Sequence, residues 1–257
     1  MKILVSNDDG ISADGLRVLV RELSKVAQVM VVAPDRERSV IGTAVSLRYP
    51  LRVHRVEPIA PDVETYAVEG TPADSVILGL GKLARNSIDL VVSGINHGSN
   101  LGDDVLISGT VSAALQGYLH GLSAIAVSAP SVDGESMDNA AKLAALLVKR
   151  IDANALPKDI LLNVNVPDLP RAKLRGPKVT QLARQSHIFT IEEVCDEKQP
   201  YYRLLRQMAN NNTDKNTDVW AIEQGNISIT PLHISLLNRS SPVITDSQFA
   251  DLLEELR

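Results

Sequence analysis

Cysteine and aromatic residues are nearly missing from this sequence, and each absence removes a class of function. The single cysteine, Cys195, can form neither an intrachain disulfide nor a cysteine-rich zinc site, which suits a reducing compartment. Aromatic residues make up 3% of the chain, too few to build the stacking platforms that hold single-stranded nucleic acid. Excess positive charge is lacking too: the formal net charge is -5, so there is no basic footprint for a phosphate backbone. No apolar run approaches the roughly 18 residues of a membrane span. The short apolar stretch after Lys2 gives way to Asp8 and Asp9, so it lacks the long core of a signal peptide. The expectation is a cytoplasmic protein that binds neither nucleic acid nor membrane. Small anionic substrates stay open, provided a bound cation supplies local positive charge.

What is present is an alternation of apolar runs and amphipathic stretches in 257 residues, 44% of them hydrophobic, enough to bury a large core. Ile3-Leu4-Val5 reads as a buried strand that stops at Ser6-Asn7-Asp8-Asp9-Gly10. Ser12 can cap a helix whose apolar residues Leu16, Leu19, Val20, Leu23 and Val26 recur at the helical period, and 28–33 is a second buried strand ending at Pro34. Strand, helix and strand in this order make a right-handed parallel crossover. Thr71-Pro72 begins another helix, with Leu78-Gly79-Leu80-Gly81 inside it. Further strands follow at 89–93, 123–128 and 160–166, separated by helices at 108–120 and 135–151. The five strands predict a doubly wound α/β fold with a mostly parallel sheet over 1–170, carrying a small antiparallel excursion near 43–70. Residues 171–257 read as a C-terminal extension with a hairpin and a final helix, where Thr245 and Gln248 form a capping box and Phe249, Leu252, Leu253 and Leu256 share a face.

Open parallel sheets bind ligands beyond the carboxyl ends of their strands. The loops there carry Asp8, Asp9, Ser39 and Asn96, an all-oxygen set with two carboxylates, suited to a hard divalent cation rather than zinc or copper. A solvated loop acid followed by a helix cap is the plainer reading of the acidic pair. Ser108-Gly109-Thr110 opens a helix directly after the glycine-rich loop containing Asn96, and its unpaired amides can cradle phosphate. Asn96 is a further candidate phosphate contact, and Asp104 reads either as a residue orienting the loop behind the ligands or as an ordinary loop acid. A cation beside a phosphate cradle is the minimum equipment for phosphoryl transfer. Of the five histidines, only His97 is near enough in sequence to line the site.

These residues fall in motifs that resemble the stationary-phase survival protein family SurE: NDDG at 7–10, APDRERS at 33–39, GTPADSV at 70–76, SGINHGSNLGDDV at 93–105 and SGTVSAA at 108–114. ITPL at 229–232 extends the similarity into the C-terminal extension. The resemblance implies hydrolysis of nucleoside 5'- and 3'-monophosphates, with short polyphosphate as a further substrate. It implies one Mg2+ or Mn2+ per subunit held by Asp8, Asp9, Ser39 and Asn96, with Ser108, Gly109 and Thr110 contacting phosphate. Asp8 and Asp9 are then the catalytic residues, Asp8 as general base or nucleophile. The family's assembly through its C-terminal segment implies a homodimer or homotetramer. Ile107 departs from the pattern, standing where members commonly carry tyrosine.

A non-catalytic receiver-like module would also place two acids after the first strand. It would need an aspartate ending the third core strand and a lysine ending the fifth, where this chain has Ser93-Gly94 and Val166-Pro167. A dinucleotide-binding fold would need a Gly-x-Gly-x-x-Gly turn in place of Asp8-Asp9-Gly10.

Overall fold

Five residues, Lys2–Ser6, form the central strand β1, and its alternating side chains feed two separate cores. Ile3 and Val5 face one layer with Leu16, Leu19, Val20 and Leu23 of α1 (Asp14–Leu23) and Ala140, Ala144 and Val148 of α4 (Glu135–Asp152). Leu4 faces the other layer, with Val76 of α2 (Pro72–Leu78) and Val111, Ala114 and Leu115 of α3 (Gly109–Leu119). The structure, a computed structural model, describes residues 1–84, 87–130, 135–184, 187–195, 200–208 and 214–233. The expected helix with Thr245, Gln248, Phe249, Leu252, Leu253 and Leu256 lies outside them.

On either side of β1, β2 (Gln28–Pro34) and β5 (Leu90–His97) run parallel to it. The order continues outward from β2 to β4 (Glu64–Val68), parallel, and β3 (Val53–Arg55), antiparallel. Beyond β5 come β6 (Ser123–Ala129) and β7 (Leu161–Asn165), both parallel. Because the chain winds one way from β1 through β2 and β4 and the other way from β5 onward, β1 sits at the topological switch, where a crevice opens past the strand ends. The fold is thus doubly wound α/β with a mostly parallel sheet. After residue 170 the chain adds β8 (Pro177–Val179), an antiparallel hairpin of β9 (His187–Cys195) and β10 (Pro200–Met208), α5 (Asp218–Glu223) and β11 (Ile227–Leu232). Of these, β11 returns to the sheet antiparallel to β7, with β8 on its far side.

Four local expectations are corrected. Ala13, not Ser12, is the N-cap of α1, with no side-chain cap bond. The antiparallel excursion is only half of what lies near 43–70, since β4 is a sixth parallel strand hydrogen-bonded to β2. The helix begun by Pro72 keeps its Thr71–Asp74 capping box but widens to a π-helix over Gly79–Leu83, so the glycine pair is not in an α-helix. Gly79 there packs against Leu4, its missing Cβ 2.8 Å from a Leu4 methyl, a packing role rather than a dinucleotide site. Finally, β5 runs on through a bulge to His97, which places Asn96 in the strand and not in the loop after it.

Candidate active site

Two loops at the switch point are stitched together by backbone. Asn7 Nδ2 donates to Gly10 O at 3.0 Å, closing the turn that carries Asp8 and Asp9. Ile11 N donates to Pro34 O at 2.8 Å and Arg38 N to Asp8 O at 2.7 Å, so the turn and the 35–39 loop are one unit. Gly10 takes a φ of +96°, and a Cβ there would lie 2.7 Å from the Arg36 carbonyl carbon. The short apolar strand followed by Asp-Asp-Gly therefore has a mechanical meaning: a fixed strand end, then a turn that only glycine can close against its neighbour.

Asp8 is 3% exposed. Thr110 Oγ1 donates to its Oδ1, and the Thr110 amide faces the same carboxylate. Burial pushes the Asp8 carboxyl up to about 6 against the pull of the Thr110 hydroxyl, and the Asp9 charge adds to the rise. Asp9 receives the His97 N–H on Oδ2 at 3.1 Å. Burial raises its pKa, the His97 amide opposes this, and Glu37 adds repulsion. No lysine or arginine among the described residues forms an ion pair with either acid. Ser39 Oγ donates to Glu37 at 2.7 Å, which leaves its lone pairs. Asn96 Nδ2 donates to Gly98 O at 2.7 Å, which leaves its carbonyl oxygen as the acceptor.

A cavity of about 110 Å³ lies among Asp8, Ser39, Asn96, Asp104, Ser108 and Arg206, with His97 and Ile107 also on its wall. Asp9, Gly109 and Thr110 do not line it. Ser108 is the N-cap of α3, accepting from Val111 N at 3.1 Å and keeping a hydroxyl proton to donate. Thr110 differs from its expected place as a phosphate contact, because its hydroxyl and amide both face Asp8; the helix N-terminus already holds one anion, the protein's own. Asp104 lies buried on the cavity wall, its carbonyl accepting from Ser108 N at 3.0 Å.

The donor set fits a hard cation in chemistry: two carboxylates that no lysine or arginine among the described residues pairs with, a hydroxyl and an amide carbonyl. Among the described residues no group of three or more histidine, cysteine, aspartate or glutamate side chains could hold a metal, so any cation here must also use neutral oxygens such as Ser39 and Asn96.

Against known proteins, the model of the family described as Survival protein SurE matches residues 3–188. The chain belongs to the SurE family. Its relatives include proteins named 5'-nucleotidase SurE from Dehalococcoides mccartyi strain CBDB1, 50% identical over 100% of this chain and 98% of that protein, and from Geotalea daltonii, 44% identical over 94% of this chain and 96% of that one. The crystal structure of the SurE protein from Aquifex aeolicus superposes with a TM-score of 0.78 at 33% identity, covering 100% of this chain and 99% of that one.

Around this SurE site stand residues that motif reading passed over. The loop leaving β5 is pinned by asparagines: Asn100 N donates to Asn165 Oδ1 at 2.8 Å, while Asn163 and Asn165 both donate to Asn100 O at 2.8 and 3.0 Å. Asp218 takes the Gly102 amide at 2.8 Å. Two buried asparagines in the run Leu161-Leu162-Asn163-Val164-Asn165 were the available signal, since a polar side chain inside a buried strand needs a partner. Arg206 and His187 both meet the Asp104 carboxylate from the hairpin, and nothing local in the sequence marks them.

Proposed function

We propose that this chain is a divalent-cation-dependent phosphatase that hydrolyses nucleoside 5'-monophosphates to nucleoside and phosphate, that it also accepts 3'-monophosphates and short polyphosphate, and that it works in the cytoplasm as a homodimer or homotetramer. The enzyme class is phosphoric monoester hydrolase, the reaction for which its SurE relatives are named. The observation that carries the cation dependence is the buried Asp8 beside Asp9, with no lysine or arginine among the described residues paired to either and with Ser39 and Asn96 lining the same cavity as Asp8.

Asp8, Asp9, Ser39 and Asn96 would hold Mg2+ or Mn2+, which supplies positive charge to phosphoryl oxygens and makes a nearby water more acidic. The chain's own residues do the rest. Ser108 offers its hydroxyl proton at the cavity wall, and the start of α3 adds its dipole to the stabilisation of negative charge. Asp8 is the general base: as the water oxygen bonds to phosphorus and the ester oxygen leaves to be protonated as the nucleoside hydroxyl, the carboxylate takes the water proton. The Thr110 hydroxyl fixes the carboxylate for that transfer. No helix among the described residues is long and apolar enough to cross a membrane.

Phosphate release from a panel of nucleoside 5'- and 3'-monophosphates and short polyphosphate, with chelator and with added Mg2+ or Mn2+, tests the reading. Cation-dependent release from 5' esters is expected. No release with any cation, from folded protein, would make the site a binding module.

A further inference from the structure

Arg206 lies near the end of β10 and His187 at the start of β9, so both sit at the base of the hairpin, where Met208 pairs with His187 and Arg206 with Phe189. Across more than 80 residues of sequence they converge on one oxygen: Arg206 Nη2 and His187 Nδ1 both contact Asp104 Oδ2. Asp104 is 4% exposed, whereas the Arg206 side chain is 37% exposed and still lines the cavity. Arg206 therefore stands at the rim with its inner edge held. Among the described residues it is the one lysine or arginine lining this cavity, which otherwise presents the carboxylates of Asp8 and Asp104.

Resting on the phosphatase reading above, we propose that Arg206 is a substrate-binding residue whose guanidinium meets the substrate phosphate, and that Asp104 is the residue that positions it. A phosphomonoester carries close to two negative charges at neutral pH. A guanidinium has five N–H donors in a planar fork suited to phosphate, and both contacts of Arg206, to Asp104 and to His187, use Nη2 alone. Donors on Nη1 and Nε remain for an anion. An arginine on a solvent-facing hairpin would ordinarily sample many rotamers; the buried carboxylate beneath it removes that freedom before substrate arrives. The cavity is lined by Asp8, Ser39, Asn96 and Ser108 as well as Arg206, so an anion bound there lies beside the proposed cation ligands and the guanidinium at once. The hairpin is then a wall of the active site and not only an appendage.

The test uses full-length protein loaded with Mg2+ or Mn2+, comparing wild type, Arg206→Ala, Arg206→Lys, Asp104→Asn and the double variant. The readouts are KM and kcat on a 5'-monophosphate, inhibition by inorganic phosphate, and calorimetric affinity for inorganic phosphate. Arg206→Ala is expected to raise KM and weaken phosphate binding by about tenfold or more, as for loss of hydrogen bonds to a charged group, with assembly size unchanged and a lowered melting temperature, since the buried Asp104 carboxylate loses a partner. Arg206→Lys recovers only part of this, lacking the fork. The double variant is no weaker than Arg206→Ala alone, because Asp104 acts through Arg206. Wild-type KM and phosphate affinity in Arg206→Ala would overturn the proposal, as would equal losses of stability or assembly in the Ala and Lys variants. Additive losses in the double variant would overturn the role of Asp104. If wild type hydrolyses no nucleotide, the phosphatase reading fails on its own, and phosphate affinity still decides: tenfold weaker in Arg206→Ala upholds the binding role, unchanged or absent in wild type ends it.

Discussion

A Cβ on Gly109 would lie 2.7 Å from the Cβ of Asp8 and 3.0 Å from its Oδ2. The first residue of α3 and the acidic turn after β1 thus touch at a point where any side chain would push them apart, and the absence of one lets the helix N-terminus reach the Asp8 carboxylate.

Gly109→Ala turns that contact into a measurement. Alanine in a helix ordinarily gains ~1 kcal/mol over glycine, but here two backbones would have to separate, so a net loss of about 1–3 kcal/mol is expected, with kcat/KM down at least tenfold. Gly81, in the π-helical turn, has nothing within 4 Å of its missing Cβ. Gly81→Ala is expected to be neutral or stabilising and fully active. Urea denaturation and steady-state kinetics of the two variants side by side check both signs.

The acid at the strand end gives a pH dependence of definite sign. Asp8 titrates at about 6 instead of near 3.8, because burial outweighs the Thr110 hydrogen bond and Asp9 repels it. Between those values the folded chain holds a proton that the unfolded chain has released. The contribution of Asp8 is therefore most favourable at low pH and is lost as the pH rises toward about 6. The shift corresponds to at most ~3 kcal/mol. In chelator at pH 7.5, Asp8→Asn is expected to raise the urea midpoint, and the gain disappears near pH 4. An unchanged or lower midpoint at pH 7.5 would show that the ionised carboxylate is not strained by its surroundings.

A cation held by Asp8 and Asp9, as proposed above, would reverse the balance. Added Mg2+ or Mn2+ should raise the wild-type melting temperature, by the equivalent of ~2.7 kcal/mol at a hundred times the dissociation constant. Asp9→Asn should lose most of that increase. Scanning calorimetry with and without chelator reads both.

Much of this site was legible in the sequence because its signals are local. An apolar run ending in Asp-Asp-Gly fixes a strand end and a turn, and Thr71-Pro72 and Ser108-Gly109 start helices where the structure starts them, as cap chemistry depends on neighbouring residues only. Asn96 reads from the sequence as a loop residue because Gly94 ends the apolar run, whereas a bulge around Gly94 carries β5 on to His97. The parallel pairing of β4 with β2 and the return of β11 beside β7 depend on partners 34 to 71 residues away, beyond the reach of periodicity. The convergence of His187 and Arg206 on Asp104 is of the same kind, and it exists only once the hairpin has folded onto the loop.

Asp218 supports the site from a distance. Its carboxylate accepts from Gly102 N and Ala183 N at 2.8 Å and from Val219 N at 2.9 Å, holding the loop that leads to Asp104. Asp218→Ala leaves three buried amides without an acceptor, and a loss of about 3 kcal/mol or more is expected. Asp218→Asn, which keeps one acceptor oxygen, should lose less. Chemical denaturation of the two variants gives the order.

The most direct measurement is phosphate release from a nucleoside 5'-monophosphate by wild type and Asp9→Asn, each with chelator and with saturating Mg2+ or Mn2+, on protein shown to be folded. Release by wild type that requires the cation and vanishes in Asp9→Asn is the predicted result. Release that persists in chelator, or in Asp9→Asn at the wild-type rate, would contradict a cation held by the acidic pair as the centre of the chemistry.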